Sequence, residues 1–118
     1  MKIAKGGLLR TTTGLNMRSS RGVQPDNLVA ALVLDALLHP LQDGVTDWVQ
    51  VRLLGWRSGT SEKLYSDPDD RATVKATLKG AVSRVVRTEG PWSFVEIDGF
   101  VSYGPVSKPY VAVVDGPK

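Results

Sequence analysis

A chain of 118 residues with one histidine and no cysteine has few routes to covalent chemistry. Without cysteine there is no disulfide, no thiolate nucleophile and no zinc site built on sulfur. His39 stands alone before Pro40, so no histidine cluster can form. A G-x-S-x-G elbow, a Walker A loop, a G-x-G-x-x-G turn and an H-E-x-x-H helix are all absent. The acid pairs are Asp69-Asp70 and Glu96 with Asp98. Glu96 and Asp98 share one face of a strand beside a turn signal, where carboxylates are ordinarily solvated. The expectation is a protein that is not an enzyme and takes neither metal nor cofactor.

The elements that must position any binding residue are announced by a repeat. Trp92 follows Trp48 by 44 residues. At that offset, Leu34/Leu78, Trp48/Trp92, Val51/Val95, Gly55/Gly99 and Ser58/Ser102 are identical, and Leu53/Ile97 and Trp56/Phe100 are conservative. So many matches, a tryptophan pair among them, point to a copied structural unit. In "DWVQVRL" the residues Trp48 and Gln50 alternate with Val49 and Val51, the period of a strand. In "WSFVEIDGFVSY" the dipeptide Asp98-Gly99 lies between β-forming runs, a strong hairpin signal, and Leu54-Gly55 takes its place in the first copy. Each copy therefore reads as strand, tight turn, strand.

Two segments also read as helix. "DNLVAALVLDALLHP" offers Asp26 or Asn27 as a cap, helix-forming Ala and Leu, and Pro40 as a stop. "SDPDDRATVKATLKG" offers Asp67 as N-cap, Pro68 at the first helical position and Gly80 as a terminator. The alternative to a mainly β chain is thus α+β, with helices near 27–39 and 68–79. The alternation Ala30, Leu32, Leu34, Ala36, Leu38 favours strands in the first segment, and a short helical or turn stretch is expected near 67–71.

The segment Leu15-Asn16-Met17-Arg18-Ser19-Ser20, followed by Leu34 and Leu38, by Trp48 with Val51, and by Gly55-Trp56, resembles the pattern of bacterial SH3-like (SH3b) domains. Leu78-Lys79-Gly80 with Val82, Trp92 with Val95, and Gly99-Phe100-Val101 resemble its second half again. Ala36 stands where the family has a turn glycine, and the second copy lacks the opening LNxR segment. The resemblance implies two small SH3-like β-barrels in tandem, over residues 8–66 and 72–114, the second partial and completed by "YVAVV" at 110–114 or by strands of the first. It also implies a groove between loops. Its candidate ligand-binding residues are Asn16, Arg18, Trp48, Trp56 and Tyr65, then Trp92, Phe100, Tyr103 and Tyr110. Trp56 and Phe100 are expected to pack in a core, while Trp48 and Trp92 suit core or groove equally. The function it implies is a non-catalytic interaction module for cell-wall peptides or protein segments. The alternative is a structural component of a phage tail or capsid, assembled into a larger particle.

Charge narrows the partners. The net charge is +3, and Lys2, Lys5, Arg10, Arg18 and Arg21 are too sparse for the dense basic stripe of a nucleic-acid binder. "MKIAKGGLLR" lacks the apolar run of a signal peptide, and no segment is long and apolar enough to span a membrane. The expected partners are a protein or a peptidoglycan peptide, and the expected location is the cytoplasm or a virion.

Overall fold

The computed structural model describes residues 3–43, 47–59, 61–79, 83–105 and 107–114. Its strands are β1 (Leu9–Thr11), β2 (Leu15–Arg18), β3 (Leu28–Leu32), β4 (Leu37–Pro40), β5 (Trp48–Ser58), β6 (Lys63–Tyr65), β7 (Val74–Leu78), β8 (Arg84–Glu89), β9 (Trp92–Ser102) and β10 (Val111–Val113). No helix occurs among the described residues.

All ten strands belong to one sheet in the order β10-β1-β4-β5-β6-β7-β3-β2-β9-β8, and β5 also pairs with β9. That extra pairing closes β5, β6, β7, β3, β2 and β9 into a six-stranded barrel. β4, β1 and β10 continue outward from β5, and β8 flanks β9. The expected tandem SH3-like barrels are therefore corrected to a single closed barrel, and the SH3b resemblance does not hold at the level of fold. The α+β alternative is corrected as well. Residues 27–39 hold β3 and the start of β4, and 68–79 hold a turn-rich loop and then β7. Ala and Leu favour helix only weakly. Here Ala30 and Leu32 sit in register opposite Leu78 and Ala76, all four buried, and that packing outweighs propensity.

The reason for one barrel lies in β5 and β9. Neither turns at its glycine. Each runs on for 11 residues, and they pair along their whole length, with Leu53 opposite Ile97 at the centre. The two stretches that match at an offset of 44 are thus each other's neighbours. Gly55 and Gly99 do not serve a turn. A Cβ on Gly55 would lie 2.6 Å from Leu64 Cγ, and one on Gly99 would lie 2.8 Å from the Arg18 carbonyl oxygen. They are glycines because β6 and β2 cross the long strands too closely for any side chain.

The pairing has a local two-fold. β2 and β3 correspond to β6 and β7. Met17 lies opposite Ala30 and Leu64 opposite Ala76, with a bulge one residue later in both pairs. Arg18 lies opposite Phe100, and Tyr65 opposite Trp56. What recurs along the chain is half a barrel, and each half closes only against the other. Alternation then fills the interior. Val49, Val51 and Leu53 from β5 and Val95, Ile97 and Val101 from β9 are buried against Met17, Leu32, Leu64 and Leu78.

Outside the ring, β1 is pinned by Thr11. Its hydroxyl donates to the Val33 carbonyl at 2.7 Å and accepts the Ala36 N–H at 2.9 Å. This holds the β3–β4 turn, where Asp35 takes a positive φ of 66° and its carboxylate accepts from Arg10 at 2.7 Å. "YVAVV" supplies β10, which pairs with β1.

His39 lies opposite Arg52 on the outer side of β4 and β5. Burial, then the charges of Lys75 and Arg52, lower its pKa below the ordinary 6.5. The unfolded chain takes up a proton near that value and the folded chain does not. Stability is therefore complete above about pH 6.5 and falls as the pH drops through the window between 6.5 and the lowered value. The expected result is a midpoint of thermal unfolding that declines from pH 7 to pH 5 less steeply in His39→Gln than in the parent, read by circular dichroism. Equal slopes would remove His39 from the account.

Candidate functional site

The outer face of the β5–β9 pair carries the aromatic residues, because the inner face is filled by valine, leucine and isoleucine. At the end where β9 begins, Ser58 lies opposite Trp92 and Trp56 opposite Phe94. The Trp56 and Phe94 rings are 5.0 Å apart, and the Arg87 guanidinium stands 5.2 Å from each ring centre. Trp56 is buried beneath this cover. It is a structural residue, as its expected core role implies, although its place is the outer face of the sheet rather than the barrel interior.

Tyr65 and Trp92 meet edge to face, with ring centres 5.5 Å apart. Such contacts contribute about 0.5–1.5 kcal/mol beyond the area they bury, so each ring holds the other in place. Both remain half-buried and line an open cleft of about 470 Å³. Ser58, Ser61, Pro68, Asp69 and Asp70 complete its lining. The 66–72 loop is folded on itself: Asp69 Oδ1 accepts the Arg71 N–H at 2.9 Å, and the Ala72 N–H reaches the Asp69 carbonyl at 3.0 Å. Aromatic walls beside two exposed carboxylates and two hydroxyls favour a ligand with an apolar stem and a cationic or hydrogen-bonding head.

The two-fold places a second cleft at the other end of the ladder, with different chemistry. Arg18 takes the place of Tyr65, and Ser102 that of Ser58. Asn16, Arg18, Ser102 and Tyr110 help line a cavity of about 360 Å³. Arg18 is not free to reach a ligand with its whole head. One guanidinium nitrogen donates to Asn27 Oδ1 at 2.9 Å and to the Gln24 carbonyl at 3.1 Å. Asn27 is the buried hub of this loop. Its amide donates to Ser20 Oγ at 3.1 Å and to the Gly22 carbonyl at 2.9 Å. In the helical alternative Asp26 or Asn27 would cap a helix; in the structure Asn27 ties a loop together.

Trp48 and Tyr103 line neither cleft, although Trp48 lies opposite Ser102 of the second one. Trp48 is half-buried, and its carbonyl accepts from Arg21 at 2.7 Å. Arg21 also covers the Phe100 ring at 5.2 Å. Tyr103 packs on the core, with its N–H on the Asp47 carbonyl and its own carbonyl on the Tyr110 N–H. The candidates thus divide into Tyr65 with Trp92 at one end and Asn16, Arg18 and Tyr110 at the other, while Trp56 is buried, Tyr103 packs on the core and Trp48 stays half-buried opposite Ser102. Ser58, Ser61, Asp69 and Asp70 were not anticipated as lining. The signal available for them was the acid pair within a Pro-Asp turn.

Along the same face, Arg52 grips Asp98 through two nitrogens at 2.8 and 3.0 Å, and Arg84 binds Glu96. The Arg52 guanidinium holds the Asp98 carboxyl below its ordinary range. Both carboxylates are thus held in ion pairs on the outer face of the sheet. Among the described residues no group of three or more histidine, aspartate and glutamate side chains could hold a metal ion.

No family model, no characterised protein and no solved structure matches the chain. No helix in the described residues is long and apolar enough to cross a membrane. The tandem SH3-like barrels offered for a phage tail or capsid component are replaced by one closed barrel, and the fold carries no argument for or against assembly into a particle.

Proposed function

We propose that the protein is a non-catalytic binding module that takes a segment of another polypeptide into the cleft walled by Tyr65 and Trp92. The observation that carries this reading is the edge-to-face pair itself. Two large rings are fixed at the end of the longest ladder in the molecule, yet they leave their outer surfaces open beside Asp69 and Asp70. A lysine or arginine side chain fits this arrangement. Its stem lies on the rings, its charge faces the two carboxylates, and the serine hydroxyls meet the peptide backbone. Cell-wall peptides entered only through the SH3b resemblance, so the cleft's own chemistry replaces that argument and favours a basic protein segment.

The test is an NMR titration with short lysine-containing peptides and the same peptides acetylated on lysine. Shifts are expected at the Trp92 indole N–H and the Ser58 amide. Trp92→Ala should abolish the Ser58 response, and the double variant Asp69→Asn/Asp70→Asn should weaken binding by roughly tenfold or more. Equal responses to acetylated and free peptides, or retention in Trp92→Ala, would reject the cleft. Purified peptidoglycan serves as the competing ligand, and capture that depends on Trp92 but ignores lysine would return the reading to cell-wall material.

A further inference from the structure

β8 and β4 hold equivalent places, each flanking the first half of a long strand. β1 covers the far edge of β4, and β10 covers that of β1, whereas no described strand covers the far edge of β8. All six residues of β8 are exposed, including Val85 and Val86, each more than half so. An open edge with two apolar residues is a template for another strand.

We propose that this edge is the interface between two copies of the chain, with β8 pairing antiparallel to β8 of the second copy. The register follows from faces and charges. Arg84, Arg87 and Glu89 lie opposite Glu96, Phe94 and Trp92 of β9 and so share its outer face. Val85 and Thr88 lie opposite Val95 and Ser93, on the inner side. Directly opposed residues in an antiparallel pair point to the same side of the sheet. Placing Arg84 opposite Glu89 of the second copy sets outer against outer and Val85 against Thr88, inner against inner. It also sets opposite charges against each other twice, by symmetry. Sliding one strand by a single residue sets inner against outer. Sliding it by two residues one way opposes Arg84 to Arg87, and the other way draws the strands toward their ends. The bulge between Val85 and Arg87 and the flanking arginines, which ordinarily protect an edge from indiscriminate pairing, here select one register. Because only six residues meet, the seam is small and the dimer is a weak, reversible one.

Sedimentation over a concentration series tests this directly. The expected result is a monomer–dimer equilibrium that Glu89→Arg weakens at least tenfold, with an unchanged circular dichroism spectrum. In a chain without cysteine, Val85→Cys/Thr88→Cys should oxidise to a disulfide-linked dimer, while the misaligned Val85→Cys/Arg87→Cys should not. A monomer at every concentration, a dimer indifferent to Glu89→Arg, or equal cross-linking of the two cysteine variants would overturn the proposal. None of these outcomes depends on the Tyr65–Trp92 cleft.

Discussion

Gly99→Ala lowers the stability of the fold by about 2–3 kcal/mol, the cost of overpacking a site that cannot give way. The added methyl would lie 2.8 Å from the Arg18 carbonyl oxygen, 2.8 Å from Met17 Cε and 2.9 Å from Met17 Cγ. Met17 is fully buried, and the carbonyl belongs to the strand that closes the barrel. A loss of that size should move the midpoint of thermal unfolding by about 10 °C in a domain of this length. Gly55→Ala meets a similar obstacle: its methyl would lie 2.6 Å from Leu64 Cγ and 2.8 Å from Leu64 Cδ2, on a fully buried side chain, and 3.0 Å from the Tyr65 carbonyl oxygen. The same pair of positions separates close approach from turn chemistry. In a hairpin turn Asn replaces Gly with little loss, since it accepts positive φ. Beneath β2 its larger side chain is worse than alanine. Urea unfolding of Gly99→Ala and Gly99→Asn therefore checks the crossing: greater loss in the asparagine variant is expected, and near-native stability in it would restore the turn.

Asn27→Ala is expected to cost about 2–3 kcal/mol, the range for leaving buried polar groups without partners. The side chain accepts from Arg18 and from the Gln24 N–H, and donates to Ser20 and to the Gly22 carbonyl. Truncation releases all of these, together with a longer bond to the Ser20 carbonyl at 3.4 Å, in a loop that wraps the end of β2. Asn27→Asp keeps the acceptor for Arg18 but sets a carboxylate oxygen against the Gly22 carbonyl where the amide donated, so it too should be destabilised. Denaturant unfolding ranks the three proteins. The Arg18 side-chain resonances should sharpen and move toward free values in Asn27→Ala alone, because the guanidinium loses its anchor there. An unchanged unfolding midpoint would show that the loop is held by other contacts.

Much of the strand content was legible because alternation is a local signal. Val49, Val51 and Leu53 point inward, as the period of "WVQVRL" requires, and β10 lies where "YVAVV" is β-forming. The topology was not legible, for a physical reason. Asp98-Gly99 carries the same dipeptide whether a chain turns or a neighbouring backbone presses on it. Only the position of Met17, some 80 residues away in the chain, decides between them. Helix signals failed in the same way. Asp26-Asn27 and Asp67-Pro68 are good first-turn residues, but such residues also build polar loops, and here they do so just before β3 and between β6 and β7. The aromatic cleft was half legible. Tyr65 and Trp92 stood out by type, but their meeting depends on β6 crossing β5, which no spacing in the sequence reveals.

The single closed barrel requires β5 and β9 to be neighbours along their full length. Interstrand nuclear Overhauser effects in a uniformly labelled sample test this directly. The expected result is a continuous antiparallel ladder joining residues 48–58 to 92–102, with Leu53 opposite Ile97, Trp48 opposite Ser102 and Ser58 opposite Trp92. Contacts confined within each stretch, folding it back on itself at Leu54-Gly55 and at Asp98-Gly99, would contradict the single closed barrel and with it the placement of the cleft.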